Sequence, residues 1–164
     1  MMLDLLRHGE TELGGGFRGS LDDALTAAGW AQMRRSVAGH AKWDAIISSP
    51  LRRCAAFAEE LGRALDVAVD VRPGLRELHF GAWEGRHPAE LMPDQADELS
   101  RFWDNPYAYT PPQAEPVAEF RERVLDALGV LAERYAGQRV LVVTHAGVIR
   151  ALVTHLLDAP VGAL

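Results

Sequence analysis

This chain of 164 residues has one cysteine, Cys54, and one lysine, Lys42. A lone thiol cannot close an internal disulfide or build a thiolate metal cage, and it suits a reducing cytoplasm. With a single lysine, sixteen of the seventeen basic residues are arginine, so position has to decide which arginines matter. Positive charge is itself scarce: 17 Lys plus Arg against 23 Asp plus Glu leaves a formal net charge of −6. That balance lacks the diffuse attraction which holds proteins on nucleic acid or anionic membranes, and it argues against both partners. Long apolar runs are missing too. The stretch 1–6 carries Asp4 and is too short for a signal peptide or a bilayer span, and the run 140–149 stops at Arg150. The glycines at 14–16 are not followed by Gly-Lys-Ser/Thr, which excludes a nucleotide P-loop.

What is present is ordinary globular material: 48% hydrophobic and 24% charged residues, in a length that suits one domain burying roughly 70% of its unfolded surface. Short apolar runs at 1–6, 44–48, 66–71 and 139–144 have strand length. In the third, Val67, Val69 and Val71 alternate with Ala68 and Asp70, the pattern of a strand with a wetter face near a sheet edge. Between the runs the spacing predicts helices: Thr26 as a cap for a segment ending at Val37, residues 51–65 after Pro50, and 117–135. In the last, Val117, Phe120, Val124, Leu128, Leu131 and Tyr135 step by three or four onto one face. Strands alternating with helices predict an α/β three-layer sandwich, a largely parallel sheet with helices on both faces. Residues 74–116 break the alternation with Gly, Pro and aromatics and are expected to form an insertion or lid on a single domain spanning 1–164.

In such a sheet, ligands collect beyond the carboxyl ends of the strands. Arg7, His8 and Gly9 follow the first run, Ser48, Ser49, Arg52 and Arg53 the second, and Thr144, His145, Ala146 and Gly147 the last. A neutral imidazole can attack phosphorus, and an arginine fork stays charged and grips two phosphoryl oxygens at once. Arg beside His therefore suggests phosphate more than metal. Of the pair Arg52 and Arg53, Arg52 is expected to be the one that faces solvent.

The run Leu6-Arg7-His8-Gly9-Glu10-Thr11 resembles the signature of the histidine phosphatase, or phosphoglycerate mutase-like, superfamily. In the same order come Arg18-Gly19, Leu25-Thr26, Ser48-Ser49-Pro50-Leu51-Arg52-Arg53, Leu75-Arg76-Glu77, Phe80 to Gly85, Glu115 and Val143 to Gly147. Residues 77–84 and 102–115 are similar to the α-ribazole phosphatase branch, which points to cobalamin synthesis. The resemblance implies that His8 becomes phosphohistidine, that Arg7, Arg53 and His145 hold the phosphoryl oxygens, and that Glu77 donates the proton. It also implies substrate contacts from Arg18, Gly19, Glu115 and the amides of Ala146 and Gly147, with no metal or other cofactor. The expected substrate is a small phosphomonoester, α-ribazole phosphate among others; broad-specificity sugar-phosphate or nucleotide phosphatases and phosphoglycerate mutase-like phosphotransferases share related blocks.

Three departures bear on activity. Leu13 and Gly14 stand where relatives commonly have Trp or Ala and then Asn; Pro116 replaces a serine in a Gly-Gly-Glu-Ser pattern; and the sequence ends at Leu164, where relatives continue into another strand. The last suggests a homodimer across an exposed sheet edge. The departures also motivate a second reading, a catalytically weak phosphate-ligand binding module. A third, a metal hydrolase using His8, Glu10, Glu77 and His145, is disfavoured by the adjacent arginines. Glu84 and Glu115 are open between loop bracing and substrate contact. Trp83, Phe102, Trp103, Tyr107 and Tyr109 are expected to pack the insertion onto the sheet; if any stacks on a substrate, Tyr107 and Tyr109, beside prolines, are the better candidates.

Overall fold

The computed structural model describes residues 1–40 and 42–159. Four strands form a wholly parallel sheet: β1 (Met2–Arg7), β2 (Ala45–Ser48), β3 (Val69–Val71) and β4 (Arg139–Thr144), in the order β1-β4-β2-β3. The last strand in sequence thus sits inside the sheet and pairs on both sides, Leu141 with Asp4 and with Ile46. The two inner strands are accordingly the driest, with all four residues of β2 and five of the six in β4 buried, whereas the edge strand β3 leaves Val71 exposed.

Strand alternation sorts side chains between two cores. Val140 and Val142 face α4 (Val117–Arg134) and α5 (Ala146–Leu156), in a cluster with Phe120, Val124, Val148 and Leu152. Leu141 and Val143 face the opposite way, toward α1 (Ala27–Val37) and α2 (Arg52–Leu65), in a cluster with Met33, Cys54 and Phe57. This is the three-layer α/β sandwich expected from the sequence. Local signals act as predicted: the Thr26 hydroxyl caps α1 by accepting from Gly29 N at 3.0 Å, and the α4 stripe is core. Apolar burial on this scale is the dominant stabiliser; Trp83 and Phe57 are among the largest fully buried side chains.

The segment 74–116 is more ordered than its composition suggests. It holds 3₁₀ turns at Pro73–Leu75 and Gly81–Trp83 and a helix, α3 (Pro88–Asp104), which sequence reading did not foresee. The helix kinks at Gln95, two residues after Pro93, and Gln95 Oε1 accepts from the buried Trp83 indole at 2.7 Å. One aromatic ring from another loop ties this segment down: Phe17 lies 4.9 Å from Phe80, 5.2 Å from Trp83 and 6.4 Å from Phe102. Among the described residues, no helix is long and apolar enough to cross a membrane.

Candidate active site

The parallel sheet delivers the ends of β1, β2 and β4 to one rim, and a cavity of about 900 Å³ opens there. Its polar floor is formed by Arg7, His8, Arg18, Arg53, Glu77 and Gly147, and its far wall by Phe17, Phe80, Phe102, Trp103 and Phe120. The loop after β1 turns tightly because Gly9 packs backbone to backbone on Gly29; a Cβ at Gly9 would meet the Gly29 carbonyl.

His8 Nδ1 donates to the Gly9 carbonyl at 2.8 Å, which fixes the tautomer and leaves Nε2 bare. Burial first, then the charges of Arg53, Arg7 and Arg18, push the His8 pKa down to about 4 against a partial offset from the Gly9 carbonyl. The ring is therefore neutral at physiological pH, the state a nucleophile needs. Arg7 is exposed to the cavity, and among the described residues no protein group takes its guanidinium.

Arg53 is fully buried and behaves differently. Its Nε donates to His145 Nδ1 at 3.3 Å, one terminal nitrogen to the Leu21 carbonyl and to Asp23 Oδ1 at 3.2 Å, and the other to the Gly19 carbonyl at 2.7 Å. Those four contacts use four of its five N–H groups, leaving one for a ligand. Its neighbour Arg52 is exposed, as expected.

His145 has no exposed surface and does not line the cavity. Because Nδ1 accepts from Arg53, Nε2 carries the proton and donates to Ser49 Oγ at 2.7 Å. The expected grip of phosphoryl oxygens by His145 is thus not available in this arrangement. The ring instead backs His8 edge-on, with centroids 5.3 Å apart, and burial followed by Arg53 holds its pKa well below the usual value.

Glu77 sits where expected. Its carboxylate accepts from Leu78 N at 3.0 Å and from Gly147 N, at the start of α5, at 3.2 Å. Burial raises its pKa, opposed by those two amides and by Arg53 and Arg7. The Gly147 amide, expected on a phosphate, is therefore engaged by Glu77, while Ala146, Arg18 and Gly19 do line the cavity.

Glu115 is a correction. Arg123 clamps its carboxylate at 2.6 and 2.8 Å, it lies outside the cavity lining, and it braces the 74–79 turn rather than a substrate. Glu84 is likewise a brace, accepting from Ser20 N, the Ser20 hydroxyl and Phe80 N. Tyr109 packs on Trp83 and under Arg101, and neither it nor Tyr107 reaches the cavity; Phe17, Phe102 and Trp103 take that place. Asp23, which sequence reading also missed, lies among the arginines. The donor set for a metal hydrolase does not assemble: among the described residues no three His, Cys, Asp or Glu side chains converge on a cation site.

The model of the histidine phosphatase superfamily (branch 1) matches residues 3–164. The chain belongs to that superfamily. It is 32% identical over 169 residues to the adenosylcobalamin/alpha-ribazole phosphatase of Escherichia coli, covering 100% of this chain and 83% of that protein. Its fold superposes on the alpha-ribazole phosphatase of Shigella flexneri with a TM-score of 0.86 at 30% identity, over 98% of this chain and 81% of the other. A mycobacterial glucosyl-3-phosphoglycerate phosphatase gives 0.83 at 29% identity, over 96% and 80%. This histidine phosphatase is an enzyme, and the likeness to alpha-ribazole phosphatases read from residues 77–84 and 102–115 holds across the whole chain.

Proposed function

We propose that this phosphatase hydrolyses a small phosphomonoester through a phosphohistidine on His8, without a metal ion. The observation that carries the reading is the bare Nε2 of a neutral His8 beside the uncommitted guanidinium of Arg7 on the cavity floor. Nε2 attacks phosphorus, forming the P–N bond as the P–O bond to the leaving alcohol breaks. Arg7, the terminal nitrogens of Arg18 and the last N–H of Arg53 balance the charge on the phosphoryl oxygens. Glu77, whose raised pKa favours the protonated form, gives its proton to the leaving oxygen. The resulting carboxylate takes a proton from water, the water oxygen attacks phosphorus, the P–N bond breaks and phosphate departs. His145 and Ser49 serve this scheme by holding Arg53 and the His8 ring in place.

The substrate we favour is α-ribazole 5′-phosphate, in the cytoplasm. Two things support it: the relatives named for that compound, and an aromatic wall with Trp103 that suits a planar leaving group. The segment 74–116 would act as the lid that supplies this wall.

The test is hydrolysis of p-nitrophenyl phosphate in EDTA by the native protein and by His8→Ala. A panel of α-ribazole phosphate, sugar phosphates, nucleoside monophosphates and 3-phosphoglycerate is then ranked by kcat/KM. Turnover that persists in EDTA and vanishes in the variant is the expected result. Phosphate binding without turnover at any pH would favour the binding-module reading, and a flat panel would favour a broad-specificity enzyme.

A further inference from the structure

The cavity floor brings three guanidinium groups together, and their mutual repulsion shows in the lowered pKa of Arg18, which burial depresses first and which Arg53 and Arg7 depress further. Asp23 offsets this. Its side chain is 3% exposed and lies between two of the three cations, Oδ2 at 3.3 Å from Arg18 Nε and Oδ1 at 3.2 Å from an Arg53 terminal nitrogen. Nothing in the scheme above uses it: it touches neither His8 nor Glu77.

We propose that Asp23 is a positioning residue that couples Arg18 to Arg53 and subtracts one charge from the floor, so that the site does not retain the phosphate it produces. The inference rests on reading this floor as the phosphoryl site.

The geometry gives both halves of the argument. Asp23 Oδ2 makes no hydrogen bond and faces Arg18 as an ion pair on the Nε side, which leaves the two terminal nitrogens of that side chain for the ligand, the edge that pairs with two phosphoryl oxygens. By occupying one terminal nitrogen of Arg53 together with the Leu21 carbonyl, it leaves the last N–H on the other terminal nitrogen, the one that also serves Gly19. The charge matters because inorganic phosphate is a mixture of monoanion and dianion at neutral pH, and a cationic floor favours the dianion. Three uncompensated guanidinium groups would hold it tightly in both the ground state and the product complex, without raising the rate of the chemical step. A carboxylate already seated among them competes with the product for the same cations.

The chemistry of asparagine makes the point testable. An amide offers one acceptor and one donor where the carboxylate offers two negative oxygens, so Asp23→Asn can keep the hydrogen bond from Arg53 and then turns N–H toward Arg18, losing the ion pair. The variant therefore removes the charge and the coupling together while leaving the volume unchanged.

The experiment is titration calorimetry of the native protein and Asp23→Asn with inorganic phosphate, paired with steady-state hydrolysis of p-nitrophenyl phosphate. A unit charge several ångströms from a dianion in a solvated site changes affinity about five- to ten-fold. Phosphate should accordingly bind Asp23→Asn about five- to ten-fold more tightly, with kcat and KM both falling. Affinity that is unchanged or weaker in the variant overturns the proposal, because a merely structural carboxylate would do no more than loosen the site. If Asp23→Asn does not fold, Asp23→Ser, which leaves room for water beside both guanidinium groups, provides the same comparison. Failure of the native protein to bind phosphate at all would remove the phosphoryl-site reading and this one with it. Native binding with no change in the variant removes this one alone.

Discussion

Replacing Gly147 with alanine should disable the proton donor while sparing His8 and the three arginines of the cavity floor. A Cβ built on Gly147 falls on Glu77 Oε1, lies 3.2 Å from Glu77 Cδ and reaches 3.4 Å from Phe120 Cζ. The carboxylate has to move by about an ångström, and it loses the 3.2 Å hydrogen bond from the Gly147 amide in doing so. Misplacing a catalytic group by that much costs about 10²-fold in rate, within the range of about 10²- to 10⁴-fold that a general acid contributes. Alanine is also a better helix former than glycine, by up to about 1 kcal/mol, so lost activity should not reflect unfolding of α5. The assay is kcat on two substrates: an alkyl phosphomonoester, whose alkoxide needs protonating, and p-nitrophenyl phosphate, whose leaving group hardly does. The alkyl ester should lose about 10²-fold and the nitrophenyl ester much less, with the inhibition constant of phosphate nearly unchanged. Equal losses on both substrates, or none on the alkyl ester, would refute the assignment of Glu77 as the acid.

The acid limb of kcat/KM should fall near pH 4 rather than 6.5, because protonation removes the lone pair of His8; a pH–rate profile from pH 3.5 to 8 reads this directly. Since the folded pKa lies below the unfolded value, the contribution of His8 to stability is intact above about 6.5 and is lost as pH falls from there toward 4, which urea denaturation across that interval measures. Arg53→Lys should lower stability by about 3 to 5 kcal/mol, because a buried ammonium cannot reach the four acceptors that the guanidinium serves. Arg7→Ala should leave the melting temperature nearly unchanged while abolishing most phosphate binding, so thermal melts with and without phosphate separate the two arginines.

The sandwich was legible because its signals are local and redundant: valine and isoleucine runs for β2 and β4, a hydroxyl cap at Thr26 and a stripe of threes and fours along α4. Helix α3 was not, because its inward stripe of Leu91, Leu99 and Phe102 is interrupted by polar Gln95, whose reason for being there is an indole twelve residues earlier in the chain. At the site, Arg7, His8, Arg53 and Glu77 come together as the motifs imply. The parts that could not be read depend on pairings distant in sequence. Glu115 is claimed by Arg123 from the next helix, outside the three-or-four spacing that marks a helical pair, and Asp23 meets Arg53 thirty residues later. Phe17 gave no signal at all, since one aromatic in a glycine-rich loop has no periodicity, yet it holds the 74–116 segment over the cavity.

The position of β4 also sets the order in which the protein can be assembled. β1 and β2 do not pair with each other; each pairs with β4, so Met2 waits for Arg139 and the sheet lacks its middle until residue 144 has been made. At ribosomal speeds of about 5 to 20 residues per second, β1 spends on the order of ten seconds without its partner. Throughout that interval the nascent chain exposes the apolar residues Leu3, Leu5 and Leu6 on an unpaired strand. A mutation that speeds aggregation of that hexapeptide would therefore lower yield in the cell while leaving the folded enzyme, once formed, unaltered.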